Sequence, residues 1–107
     1  MNKIERRGFE RKNCYIEAKY ESPNLSLNVV LSNISEGGCF ILSPFLDTPG
    51  TSGALFLRFP KMNEPVVLLT KVVYTKDDTI SSSGMGIKFI YNSPEVVERM
   101  KQILQSM

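Results

Sequence analysis

Short segments in which apolar and polar residues alternate with a period of two dominate the sequence. A period of two places successive side chains on opposite faces of a strand. Turns rich in proline, glycine and serine separate the segments, and no helical pattern lies between them. Five or six short strands at such spacing predict a mainly β domain, a small antiparallel sandwich or barrel. The predicted strands cover residues 14–20, 25–31, 39–42, 54–59, 66–74 and 85–89.

The period changes near the C-terminus, where the sequence predicts one helix over about 93–106. Ser93 is a suitable N-cap, Pro94 suits the first helical position and Glu95 lies in the first turn. We expect the apolar stripe of this helix to pack on the sheet, and a dimer contact is the alternative. The stripe consists of Val96, Val97, Met100, Ile103, Leu104 and Met107.

Length and composition favour a single domain in the cytoplasm. A chain of 107 residues with 42% apolar and 22% charged residues is ordinary for one globular domain. No apolar run approaches the roughly 20 residues that a membrane-spanning helix needs. The N-terminus carries charges but no apolar stretch typical of a secretion signal. We therefore expect a cytoplasmic protein that does not insert into membranes.

Most kinds of catalytic and metal site are disfavoured by the residue types present. Histidine is absent, which removes the commonest general base and metal ligand. Cys14 and Cys39 match no metal spacing and no disulfide framework, so we expect them to be core residues. The carboxylates of Asp47, Asp77 and Asp78 are predicted to lie in loops. We expect no enzyme, no metal and no cofactor.

Nucleic-acid binding is also disfavoured. A net charge of +2 is too weak for general binding to DNA or RNA through phosphate neutralisation. A barrel that binds single strands needs exposed aromatic side chains along a basic track. Tryptophan is absent, and the phenylalanine and tyrosine residues mostly have aliphatic neighbours, so we expect most of them in the core.

Residues 1–12 are predicted to form a flexible basic arm ahead of the barrel of residues 13–107. Within this arm, Arg7 and Arg11 form an R-x-x-x-R pattern, and Arg6 offers a third guanidinium group. The planar arginine fork can donate two parallel hydrogen bonds to O6 and N7 of guanine, or to a phosphate. Two such forks, four residues apart, could grip one small anionic ligand from different sides.

A second motif, N-x-S-x-x-G, follows the second predicted strand. Asn33 and Ser35 are two residues apart and face the same side if the strand remains extended there. Gly37 and Gly38 break the strand, and Gly38 permits either a close approach or a positive φ. The alternative for this motif alone is an ordinary Asx or Ser turn closed by glycine.

Taken together, the two motifs and the late segment Gly84-Met85-Gly86-Ile87-Lys88-Phe89 resemble the PilZ domain family, bacterial receptors for the second messenger cyclic di-GMP. The resemblance covers nearly the whole chain. It implies a six-stranded antiparallel β-barrel with a C-terminal α-helix. It also implies that Arg7 and Arg11 clamp the guanines and phosphates of the ligand, while Asn33, Ser35 and Gly38 form the matching surface on the barrel. The neighbouring Arg6 could serve as a third donor or as the true first member of the grip, and Gly37 is a further candidate for the binding surface.

The resemblance implies a function in signalling without catalysis. Cyclic di-GMP would bind, change the conformation of the arm and nearby surface, and signal to an effector protein. One or two ligand molecules could occupy the site, and the protein would be a monomer or weak dimer. The alternative is a PilZ-like adaptor that interacts with proteins and binds no nucleotide.

Overall fold

A computed structural model describes residues 10–77 and 83–107. These residues form six β-strands and one helix. The strands are β1 (Lys12–Glu21), β2 (Ser26–Ile34), β3 (Gly38–Leu42), β4 (Ser52–Leu57), β5 (Val66–Lys76) and β6 (Gly84–Ile90), and the helix is α1 (Pro94–Gln105). Each predicted strand and the predicted helix is confirmed, with ends shifted by a few residues.

The strands close into an antiparallel barrel in the order β1-β2-β3-β6-β5-β4, with β4 pairing back to β1. Hairpins join neighbouring strands except at the crossover from β3 to β4, which allows β6 to insert beside β3. Closure pairs both sides of every strand, so the barrel has no free edge within the described residues. The mainly β class and the six-stranded barrel are therefore confirmed.

The barrel interior is filled by the inward-facing residues of the alternating segments. Each such side chain contributes about 1.5–3 kcal/mol when fully removed from water. Cys39 is part of this core and Cys14 packs against it, as predicted, and both are free thiols. The most enclosed apolar side chains are Tyr20, Leu31, Ile34, Ile41, Leu55, Leu57, Val72, Met85 and Met100.

Helix α1 begins as the sequence predicts. The Ser93 hydroxyl accepts a hydrogen bond from the Val96 amide at 3.3 Å, and Pro94 occupies the first helical position. Met100 and Leu104 are buried in the core. The prediction that the helix packs on the barrel is thus confirmed. No helix among residues 10–77 and 83–107 is long and apolar enough to cross a membrane.

The aromatic residues are less buried than predicted. Tyr20, Phe59 and Phe89 lie in the core, but Tyr15, Phe45 and Tyr74 are exposed. Thus the expectation that most aromatic side chains are core residues is wrong. Strand alternation sets Tyr15 outward, and a register shift in β5 between Val72 and Tyr74 turns Tyr74 outward.

Asp47 has a structural environment that sequence reasoning missed. It lies in a loop, as predicted, but is only 4% exposed. Its carboxylate accepts hydrogen bonds from the hydroxyls of Tyr20 and Ser22, each at 2.7 Å, and from the Asn24 amide at 3.4 Å. Burial and the neighbouring Asp47 charge raise the pKa of Tyr20. Asp47 therefore ties the loop after β3 to the β1–β2 turn.

Candidate functional site

The two sequence motifs meet on the barrel surface. Arg11 Nη1 donates a hydrogen bond to Asn33 Oδ1 at 2.6 Å, across 22 residues of sequence. Arg11 lies immediately before β1, and Asn33 is near the end of β2, where the two strands pair. Arg6 and Arg7 fall outside the described residues, so the contact joins the second arginine of the R-x-x-x-R pattern to the asparagine of the N-x-S-x-x-G motif.

Irregular strand pairing beside Arg11 and Asn33 affects the direction of their side chains. The β1–β2 register shifts between Asn13 and Ile16, and the β2–β3 register shifts between Leu31 and Asn33. Such bulges bend a strand locally and change the direction of its side chains. Both bulges lie at the barrel end that carries the motifs. They give this end a geometry that a regular ladder would not have.

Ser35 closes the turn between β2 and β3. Its amide donates to the Gly38 carbonyl at 2.8 Å, and its hydroxyl donates to the same carbonyl at 3.3 Å. The Gly37 amide donates to the Ser35 hydroxyl at 3.2 Å. Ser35 is 4% exposed. The serine-turn alternative thus describes the local structure, and the turn presents its backbone toward the cavity described below.

Gly38 is required for a close approach between strands. A Cβ added there would lie 2.0 Å from the carbonyl oxygen of Ile87 on β6. Its φ is not positive, so that alternative is wrong. The close approach found is to the neighbouring strand, at the register pair Gly38 and Lys88. Glycine at this position allows β3 and β6 to pair immediately after the β2–β3 turn that contains Ser35.

A surface cavity of about 220 Å³ connects these parts. Arg11 and Lys88 are the charged residues of its lining among the described residues, and both are cationic. Its wall is formed by Arg11, Ser35, Gly37, Gly38, Cys39, Val73, Tyr74, Gly86, Ile87 and Lys88. The cavity therefore joins four of the predicted site residues in an electropositive hollow that can accept an anion.

An aromatic pair borders the cavity. The rings of Phe40 and Tyr74 stack with centroids 6.1 Å apart and planes inclined by 28°. Tyr74 lies over Gly86, where an added Cβ would meet its ring at 2.1 Å. Val73, Tyr74 and Lys88 were not among the predicted site residues. Their strands reach the motif through cross-strand register, for which the local sequence carries no signal.

Glu36, within the motif turn, lies toward the helix. Its side chain lines a separate cavity of about 390 Å³ and is 3.9 Å from Lys101 Nζ of α1. Its carbonyl accepts a hydrogen bond from the Tyr91 hydroxyl at 2.5 Å. Burial, with the Glu36 charge as a second cause, raises the pKa of Tyr91 to about 12. The acidic group is thus held beside a helix lysine and is not part of the electropositive cavity.

The described residues offer no obvious metal centre. No three histidine, cysteine, aspartate or glutamate side chains cluster so as to hold an ion within residues 10–77 and 83–107. The pKa of Cys14 and of Cys39 is raised by burial, which disfavours the reactive thiolate. Arg11 and Lys88 supply the cavity with hydrogen-bond donors and positive charge.

A family model matches the amino-acid sequence over nearly its whole length. The model of the PilZ domain covers residues 5–106 of the chain. The chain belongs to the PilZ domain family. No curated protein sequence matches it.

Solved structures share the fold of this PilZ domain. The PilZ domain of YcgR from Escherichia coli, solved with c-di-GMP, superposes with a TM-score of 0.78 at 17% identity and covers 94% of this chain and 90% of its own. The PilZ domain of CeSA from a cellulose-synthesizing bacterium has a TM-score of 0.67 at 16% identity, covering 90% and 98%. At these identities the likeness establishes the fold alone.

A third neighbour is longer. The inhibitor of motility MotI/DgrA from Bacillus subtilis has a TM-score of 0.73 at 17% identity, with 89% of this chain covered. The match covers 47% of MotI/DgrA, so the PilZ domain described here spans about half of that protein.

Proposed function

We propose that this PilZ domain is a non-catalytic cytoplasmic receptor for cyclic di-GMP. The observation that carries the proposal is the junction of Arg11 and Asn33 beside a cavity whose charged lining is cationic. Family membership and the c-di-GMP named with the YcgR structure support the choice of ligand. No cofactor is needed for binding.

The cavity size bears on how the ligand is held. At about 220 Å³ the cavity is smaller than the typical ligand pocket of roughly 300–1,000 Å³. Part of a cyclic dinucleotide would therefore lie outside it. In our proposal the arm covers that part, with Arg7 opposite Arg11 and Arg6 as an additional donor. The arginine forks suit both guanine edges and phosphates.

The energy of ordering the arm makes the grip cooperative. Arg11 is already bonded to Asn33, so the residues left to fix are 5–9, at a cost of about 5–10 kcal/mol at ~1–2 kcal/mol per residue. Each charge-assisted hydrogen bond returns about 1.5–3 kcal/mol. Several must therefore form together, and one arginine does not suffice. We expect the arm to become protected on ligand binding, which amide hydrogen exchange measures. Equal protection of residues 5–9 with and without ligand would contradict this mechanism.

Arginine variants test the receptor directly. Arg7→Ala and Arg11→Ala should each weaken cyclic di-GMP binding by at least about 2 kcal/mol, roughly 30-fold, because charge-assisted bonds are lost. The melting temperature without ligand should hardly change, since the Arg11 contact with Asn33 is exposed. Arg58→Ala is the matched control because Arg58 is exposed and lines a different cavity. A large fall in the melting temperature of the Arg7 or Arg11 variant would show that this arginine stabilises the fold, and would contradict its proposed role in binding.

The proposed output is a change in the surface shared by the arm and the barrel, which an effector protein reads. A second candidate function is an adaptor that binds proteins without nucleotide. Exposed apolar side chains on β5 and β6 favour it: Val67, Leu69 and Ile90 are 49%, 46% and 39% exposed, and Leu69 pairs with Ile90. Absence of cyclic di-GMP binding by the wild-type chain would favour this adaptor.

A further inference from the structure

Two lysines lie directly opposite each other beside the cavity. Lys71 on β5 and Lys88 on β6 are register partners, and both are exposed. Lys88 is in turn the register partner of Gly38 on β3. One row across three neighbouring strands therefore runs from the motif glycine to two lysines. Since paired strands are about 4.8 Å apart, Lys71 lies roughly 10 Å from Gly38 along this row.

This arrangement is unfavourable for the barrel alone. Like charges directly opposite each other on antiparallel strands are destabilising. Neither lysine forms an ion pair with any residue in 10–77 or 83–107. The remaining register partner of Lys71 is Ser52, which carries no charge. By contrast, Lys19 and Lys101 are each paired with a glutamate.

The position of the pair connects it to the ligand site. Lys88 lines the same cavity as Arg11 and Ser35. Lys71 lies on β5, two residues before Val73, which also lines that cavity. The compact ammonium charge on a flexible stem suits a phosphate without requiring a fixed planar geometry. An anion placed between the two lysines would replace their repulsion by two attractions.

We propose that Lys71 and Lys88 form a phosphate subsite along β5 and β6, beside the cavity that Arg11 lines. This inference rests on the proposed function and adds two binding residues to it. The arginines and the motif turn hold one part of a cyclic dinucleotide, and the lysine pair holds a phosphodiester group farther from Arg11. That group belongs to the same ligand molecule or to a second one, and the binding stoichiometry distinguishes the two sources.

Calorimetric titration of cyclic di-GMP into the full chain tests the subsite. The Lys71→Met/Lys88→Met variant retains long apolar stems but loses both charges. We expect binding about tenfold or more weaker, as for loss of a charge-assisted contact, with a shallower dependence on salt concentration. A fall from two molecules to one indicates a second ligand, and weaker binding at unchanged stoichiometry indicates the same molecule. The control Lys19→Met should bind as the wild type does.

A second measurement separates this inference from the proposed function. Pyrophosphate, compared with chloride at equal ionic strength, should raise the melting temperature of the wild type more than that of the double variant, because binding to the folded state stabilises it. If the wild type fails to bind cyclic di-GMP but shows this difference, the receptor proposal fails and the phosphate subsite stands. The subsite is overturned if the double variant binds cyclic di-GMP with the affinity and salt dependence of the wild type. If the wild type binds no cyclic di-GMP, the subsite is overturned when pyrophosphate raises the melting temperatures of both proteins equally.

Discussion

Alanine at position 38 should destabilise the barrel strongly, for a reason that a matched variant can isolate. The added Cβ would lie 2.0 Å from the Ile87 carbonyl oxygen and 3.1 Å from its carbonyl carbon, whereas ordinary contacts begin at 3.4 Å. The obstacle is the backbone of a paired strand and cannot rotate away. Strands β3 and β6 would have to move apart by more than about 1 Å, a form of overpacking that typically costs about 1–3 kcal/mol and occasionally more.

The expected loss for Gly38→Ala is therefore about 2–4 kcal/mol, a large part of the roughly 5–15 kcal/mol of stability of a typical domain. Gly86→Ala is the matched control. Its Cβ would meet an atom at a similar distance, 2.1 Å, but that atom belongs to the Tyr74 ring. Tyr74 is 48% exposed and can turn outward. We expect Gly86→Ala to cost less than about 1 kcal/mol, partly offset by a smaller unfolded-state entropy.

Urea unfolding followed by far-ultraviolet circular dichroism measures both variants, since the chain has no tryptophan for fluorescence. The reasoning predicts a much lower midpoint for Gly38→Ala than for Gly86→Ala at similar m-values. Near wild-type stability of Gly38→Ala, or an equal loss in both variants, would refute it. In that case the close approach of β6 would not explain why glycine occupies position 38.

Three further predictions concern polar groups with buried or half-buried side chains. Asp47→Asn should lower the free energy of unfolding by about 2–3 kcal/mol, because the hydroxyls of Tyr20 and Ser22 lose a charged acceptor. Cyclic di-GMP binding should be unchanged, and a loss of binding without a loss of stability would show that Asp47 belongs to the ligand site. Tyr91→Phe should cost about 0.5–1.5 kcal/mol at pH 8, and this difference should shrink above pH 10 and reverse in sign towards pH 12, because the unfolded tyrosine ionises near 10 and the folded one near 12; a constant difference in urea midpoints over that range would contradict the assignment. Thr70→Val should raise stability by about 1 kcal/mol, since the buried Thr70 hydroxyl has no partner in the described part of the chain; a lower melting temperature would show that the hydroxyl is bonded.

Local patterns in the sequence were sufficient to predict the secondary structure. Alternation located all six strands, and Ser93 with Pro94 located the start of α1, because strand faces and helix caps depend on near neighbours. The turn of Ser35 was likewise predictable as a serine turn. These features depend on residues within a few positions of one another.

Features that depend on register could not be predicted in this way. The pairing of Lys71 with Lys88, and the approach of Ile87 to Gly38, result from strands that are distant in sequence. Tyr74 is outward because of a register shift that breaks the alternation. The meeting of Arg11 and Asn33 was expected only through the resemblance to a family, since neither motif alone specifies its neighbour. The role of Arg7 stays a prediction.

Calorimetric titration of cyclic di-GMP into the wild-type chain and into Arg7→Ala/Arg11→Ala tests the central claim most directly. The account predicts saturable binding at micromolar concentration or tighter, about −8 kcal/mol or more favourable, which the double variant loses while retaining its melting temperature. Saturation also gives the number of ligand molecules in the site. Absence of heat from the wild type at high ligand concentration, or undiminished binding by the double variant, would contradict a receptor that grips its ligand with the two arginines.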